Sequence, residues 1–372
     1  MFLAIREMRF AKARYALIAT IMVLVAFLVL FVTGLAQGLA YDNAASVQNR
    51  NATHFVVEQG SNHRLTRSQV DQDQIEQAGQ IVGEHDVEPL GVKMTTIIPS
   101  GATAKIDVTI LAVDPAGWLA PTMTDGTPLS DQTKGDVLVD QKLSDSGVSI
   151  GTILTDQTSG TKWTVRGFVQ NESFSHSPAV FLNKQDWLQL QEQTARPGAE
   201  PATESYSAIA IQASKEEAKE LQAALPDTDV ITKAEAVSAI PGYKEEQGSL
   251  IMMIVFLFVI SAFILAVFFY VITIQKTSQF GILKAIGTRT AYLAKSVTLQ
   301  VLVLSVGSLV LSVLLVQLFE VVLPESMPFQ LGVSTLVMTC LSFVAMSLAG
   351  SLFSVWKVAK IDALDAIGRA SA

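Results

Sequence analysis

Four stretches of the chain contain no Asp, Glu, Lys or Arg: Tyr15 to Tyr41, Gln247 to Gln275, Ser296 to Phe319 and Ser326 to Trp356. A helix rising about 1.5 Å per residue needs about 20 residues to cross a hydrocarbon core of about 30 Å. Each stretch is long enough, so the pattern predicts four membrane-spanning helices, one before a polar insert and three after it. Gly38-Leu39-Ala40 resembles a small-residue cleavage site, but the apolar run before it outlasts the roughly 7 to 15 residues of a signal peptide. An uncleaved anchor is therefore expected.

The insert from Asp42 to Glu246 changes period. Short apolar runs suited to strands, at His54 to Gln59, Val92 to Pro99, Ala104 to Val113, Val137 to Asp140, Lys162 to Gln170, Ala179 to Leu182 and Tyr206 to Gln212, alternate with Gly- and Pro-bearing breaks. Ser68 to Ile81 and Lys215 to Leu225 have helical spacing instead. The fold class expected is an α-helical membrane protein with four transmembrane helices in a 1+3 arrangement and an extracytoplasmic α+β domain. The nine segments run 1–14 (cytoplasmic, amphipathic), 15–41, 42–246 (the domain), 247–275, 276–295 (cytoplasmic), 296–319, 320–325 (an external turn), 326–356 and 357–372 (cytoplasmic tail).

Composition agrees: of 372 residues, 50% are hydrophobic and 16% charged, too few charges for an ordinary soluble chain. Distribution matters more than the net charge of -8. The N-terminal flank, the segment after the second span and the tail together hold 11 basic and 3 acidic residues, whereas the insert holds 15 basic and 29 acidic. The positive-inside rule then places both termini and Lys276 to Lys295 in the cytoplasm of a plasma-membrane protein, with the insert outside. Nucleic acid is not an expected partner. Cys340 stands alone and can close no internal disulfide. His54, His63, His85 and His176 lack metal-site spacing, so surface or loop positions are expected and no metal site.

The segment Gln279-Phe280-Gly281-Ile282-Leu283-Lys284-Ala285-Ile286-Gly287-Thr288-Arg289 carries apolar residues near helical spacing, with bases on its flanks. By itself it reads equally as a helix lying on anionic lipid or as one docking a partner. Its Phe-Gly-Ile-Leu-Lys-Ala-Ile-Gly sequence, the single leading span, the large insert and the three later spans together resemble the permease subunits of MacB/FtsX-type ABC transporters over essentially the whole chain. The tail Ala359 to Ile367 resembles the cytoplasmic end of the same proteins. The resemblance implies that Phe280, Leu283, Lys284 and Ile286 contact a cytoplasmic ABC ATPase, present in two copies. No Gly-x-x-x-x-Gly-Lys-[Ser/Thr] loop occurs, because five residues separate Gly281 from Gly287 and Thr288 stands where the lysine belongs. Nucleotide is expected on a separate subunit, and this chain is not expected to be an enzyme. A homodimer is expected, with Gly34 and Gly38 forming a Gly-x-x-x-Gly contact.

Within that family, the compact insert and the sequence from Ile240 to Met253 resemble the heme-efflux permeases of the HrtB type. The implied cargo is heme taken from the outer leaflet, with no cofactor of the chain's own. Glu245 and Glu246 sit next to an uncharged 29-residue span, where a carboxylate oxygen can ligate ferric iron. Gly248 leaves room for a porphyrin face, and Met252 offers a polarisable contact. Tyr243, Tyr41 and Glu58 are second-choice ligands, and Lys244 and Arg50 are candidates for the propionates. Acids and aromatics at a span end also simply mark the interface. An FtsX-like signal relay to cell-wall hydrolases, or export of a lipoprotein or other amphipathic cargo, are the alternative functions.

Overall fold

The computed structural model describes residues 12–194, 204–324 and 327–359. Two compact units emerge, one built from residues before Leu39 and after Gln247, the other from Leu39–Gln247. The cytoplasmic expectations for residues 1–11 and for the tail beyond Ala359 lie outside the described residues.

The helical unit contains the four long apolar helices. They are α1 (Lys12–Gln48), α6 (Tyr243–Gln275), α8 (Thr290–Val322) and α9 (Val333–Ala359), with the short α7 (Thr277–Ala285) between α6 and α8. All four long helices are of spanning length and composition. The last starts at Val333 instead of Ser326: residues 327–332 are not helical, because Pro328 and Gly332 interrupt a helix before it can form. Packing relies on small residues. Ser312 Oγ on α8 donates to the Val23 carbonyl of α1 at 2.9 Å, and Gly350 of α9 comes so near α6 that an added Cβ would lie 3.3 Å from the Ala262 carbonyl oxygen. Such close approaches serve in a bilayer, where apolar burial alone gives helices no reason to associate.

Gly34 and Gly38 are used in this way inside the chain. A Cβ on Gly34 would stand 2.5 Å from the Phe329 ring, and one on Gly38 would collide with the Pro328 backbone. The Gln330 N–H donates to the Gly34 carbonyl at 3.1 Å, and Phe329 stacks on Phe31 with ring centroids 5.6 Å apart.

The second unit holds a mixed sheet. Its strands run in the order β13 (Thr228–Thr232), β1 (His54–Glu58), β12 (Ala208–Ile211), β3 (Val87–Pro99), β4 (Ile106–Ala112), β10 (Ser177–Leu182), β6 (Asp136–Asp140), β8 (Lys162–Val169) and β5 (Met123–Gly126). β10 pairs in parallel with β4, and β6 with β8; the other pairs are antiparallel. β7 (Ile153–Asp156) joins β3 to β8, and β9 (Ser173–Phe174) pairs with β10. A separate pair unites β2 (Val70–Asp71) and β11 (Ser205–Tyr206).

Both faces of the sheet are covered, which explains the unbroken apolar runs. On β12, Ile209 and Ile211 enter one core while Ala208 and Ala210 enter the other; on β10, Val180 and Leu182 oppose Ala179 and Phe181. The first core is closed by α2 (Gln72–Val82), α3 (Lys184–Thr194) and α4 (Lys215–Ala224) through Ala78, Trp187, Leu190 and Leu221. The second is closed by Ala44 and Val47 of α1, by Ala236 and Val237 of α5 (Lys233–Ser238), and by Ile240. Asp71, Ser214 and Thr232 start α2, α4 and α5 with reciprocal capping boxes.

Candidate functional site

The chain enters the α/β domain through the end of α1 and leaves it through the start of α6, and one polar cluster ties these two segments together. Asn43 Nδ2 donates to Glu246 Oε2 at 2.5 Å. His176 bridges two carboxylates, with Nε2 3.0 Å from Glu246 Oε2 and Nδ1 3.3 Å from Asp42 Oδ2. The other Asp42 oxygen takes Lys142 Nζ and, at 2.7 Å, Ser173 Oγ. Local chemistry delivers the imidazole. Ser175 (φ 52°) and His176 (φ 62°) form the two-residue tip of the β9–β10 hairpin, where positive φ at both positions matches the strand twist. The Ser175 N–H then anchors the tip by donating to the Asn43 carbonyl at 2.7 Å. His176 thus has a partner on each ring nitrogen, beyond the bare loop position the spacing implied. Among the described residues no group of His, Cys, Asp and Glu converges to hold a metal ion.

Glu245 lies one residue earlier, about 100° round the helix. It is exposed and lines an open cavity of about 600 Å³ together with residues of the 62–64 loop and the Ser238–Gly242 link. The two adjacent acids therefore have different surroundings, one hydrogen-bonded and half-buried, the other open.

The remaining candidates scatter. Tyr41 donates to Asn49 Oδ1 at 2.7 Å. Glu58 accepts from the Gln69 N–H at 3.1 Å and so closes the loop that follows β1. Tyr243 packs part-buried against Ile240 and its neighbours. Gly248 and the exposed Met252 continue along α6 within the helical unit. Arg50 is unavailable to any ligand: it is buried, ion-paired with Glu172, and donates to the Leu119 carbonyl at 2.5 Å and the Ser46 carbonyl at 3.1 Å. Burial pushes the Glu172 carboxyl above its usual range, and Arg50 opposes that shift.

The second candidate surface is α7. Phe280, expected to touch a partner, is 1% exposed and packs with Leu293 and Val297 of α8. It is an anchor. Leu283 and Lys284 are half-buried, Ile286 is 74% exposed, and Ile282, which the sequence reading passed over, is 48% exposed. Just before α7, Lys276 Nζ donates to Tyr15 Oη at 2.5 Å, and Tyr15 Oη donates to Gln300 Oε1 at 2.9 Å. This buried cluster joins α1, the end of α6 and α8.

Comparison with known proteins bears on the whole chain. Residues 251–363 match the FtsX-like permease C-terminal family. A protein of Staphylococcus epidermidis named as a proposed hemin transport system permease, HrtB, is 30% identical over 369 residues, covering 98% of this chain and 99% of that one. Its counterpart in Staphylococcus haemolyticus is 29% identical over 366 residues, with coverage of 98% and 99%. The extracellular domain of a noncanonic ABC-type transporter, YknZ, from Gram-positive bacteria is similar at 15% identity and a TM-score of 0.35, covering 49% of this chain and 100% of that domain, a likeness too low to bear on function. Coverage of the relatives from end to end, together with the FtsX-like match on the last three spans, places the chain in the HrtB family of FtsX-like ABC-type permeases.

Proposed function

We propose that this chain is the permease subunit of a heme exporter, driven by a separate cytoplasmic ABC ATPase bound in two copies to a homodimer in the plasma membrane. The observation that carries the reading is Glu245, an open carboxylate beside a roomy cavity at the head of an uncharged span, in a chain similar from end to end to proteins named for hemin transport. Ferric iron accepts a carboxylate oxygen, and the cargo's apolar ring prefers the membrane side of that carboxylate. Glu245 is the better ligand because Glu246 is engaged by Asn43 and His176. The α/β domain faces outward in this reading, which the Lys and Arg residues of the short segments flanking the spans support.

The engine has two faces on α7. Phe280 fixes the helix to α8, and Lys276 with Tyr15 and Gln300 fixes its start to α1 and α8. Ile282 and Ile286 present the apolar surface for an ATPase groove. When ATP closes the two motors, the pull enters through this exposed side and is passed to α8 by the buried one. A ligand shifts such an equilibrium only by its differential affinity, so heme and ATP favour opposite states.

Titration of the purified full-length protein with hemin tests the cargo. A Soret shift is expected with wild type, weakened about tenfold or more in Glu245→Ala and little changed in Glu58→Ala. Absence of any hemin-dependent spectrum, with ATPase activity stimulated by a lipopeptide, would point instead to an amphipathic peptide cargo.

A further inference from the structure

The cavity beside Glu245 has a charge pattern that the iron ligand alone does not account for. Its wall carries Arg64, half-buried, and Lys244, exposed; neither side chain has an ion-pair or hydrogen-bond partner among the described residues. The acids nearby do not neutralise both. Glu235 lines the same cavity, but its Oε2 accepts the Thr232 N–H and hydroxyl at 2.8 Å, which holds the carboxyl below its usual range and commits it to the α5 cap. His63 points its Nε2 at Asp229 Oδ2, 3.7 Å away. Arg64 follows a tight turn in which Asn62 and His63 are both left-handed (φ 56° and 60°), a conformation that Asn and His adopt more readily than most residues. Ile240, Pro241 and Ala239 give the cavity an apolar side.

An open cavity of about 600 Å³ with an apolar wall, one fork-shaped cation and one point cation suits a flat amphiphile bearing two carboxylates. We infer that Arg64 and Lys244 bind the paired propionate carboxylates of the porphyrin cargo, in the cavity that Glu245 also lines. Arg64 takes the part the sequence reading gave to Arg50, whose charge is spent on Glu172. This deepens the proposed function and rests on heme being the cargo.

The test compares hemin with hemin dimethyl ester, which keeps the iron and the ring but masks both carboxylates, on the full-length protein in lipid nanodiscs. Wild type should bind hemin about tenfold or more tightly than the ester, the scale of one charge-assisted hydrogen bond. Arg64→Ala/Lys244→Ala should lose that preference while binding the ester as wild type does, and Arg64→Lys should keep part of it. Unchanged ester binding also reports that the double variant is folded. If the double variant keeps the full preference for hemin, this inference is overturned and the heme reading stands. If wild type binds neither compound, the heme reading fails and takes this inference with it. If wild type binds both equally and phosphatidylglycerol competes at wild type but not at the double variant, the anion is a lipid phosphate and the inference is overturned.

Discussion

The α/β domain and the helical unit achieve burial by different means. The domain closes two apolar cores on the two faces of one sheet and gives the charges it buries a partner, an ion pair for Arg50 and Glu172 and backbone N–H donors for Glu88 and Asp186. In the helical unit burial is uneven. α8 and α6 both have 33 residues, yet α8 buries eleven of them, four being serines, while α6 buries only Ser261, Leu265, Phe269 and Thr273. Phe256, Val259, Phe263 and Val267 of α6 remain open. A helix at the centre of its unit needs small polar residues to let backbones approach; one facing lipid or a second copy needs only to be apolar. The contrast puts α8 at the centre of its unit and leaves most of the apolar surface of α6 open.

The largest effect expected is in the domain. Arg50→Ala leaves Glu172 buried without its cation, and the cost should be about 3 to 5 kcal/mol by denaturation of the full-length protein. A carboxyl whose folded pKa lies above its unfolded value binds protons more tightly when folded, so stability falls as pH rises through that window. Removing the arginine raises the folded pKa further. The variant should therefore lose less at pH 5 than at pH 8, and an equal loss at both would show that Glu172 does not depend on the pairing.

Next comes α7. Phe280→Ala should cost about 3 kcal/mol, seen as a lower melting temperature in detergent, whereas Ile286→Ala should leave melting unchanged and weaken ATPase association. The reverse result would exchange the inner and outer faces of this helix. Gly38→Ala should cost about 1 to 3 kcal/mol because the Pro328 backbone cannot yield easily. The smallest effect belongs to α6: Phe263→Ala should shift melting of the monomer by less than about 0.5 kcal/mol. A large shift on dilution-sensitive melting would place Phe263 at a dimer contact instead of in lipid.

Sequence reading reached the membrane helices easily, since a charge-free run of spanning length admits few other structures. Strands were legible where apolar runs were long, as at β3 and β8. They were missed where short polar sequences pair only because a neighbour is present, as at β5, β7 and β13. The helices Lys184–Thr194 and Lys233–Ser238 were missed for a related reason: the first is mostly polar and is fixed by Trp187 and Leu190, and the second is a single capped turn and a half. Of the site, the acids at the head of α6 stood out through their position beside an uncharged run. His176 did not, because its meeting with Glu246 depends on a hairpin tip that lies 70 positions away along the chain. The two-residue turn between apolar strands was the available clue. Phe280 shows the converse limit. Helical spacing placed it correctly in a short helix, but spacing alone does not tell the buried side from the free one.

The most direct test is hemin affinity in two states of the assembled permease and ATPase, one free of nucleotide and one trapped with ATP in a hydrolysis-deficient motor. Weaker binding in the trapped state, by about tenfold or more, is expected if closing the motors empties the site. Equal affinity in both states would contradict the coupling of motor to cargo site.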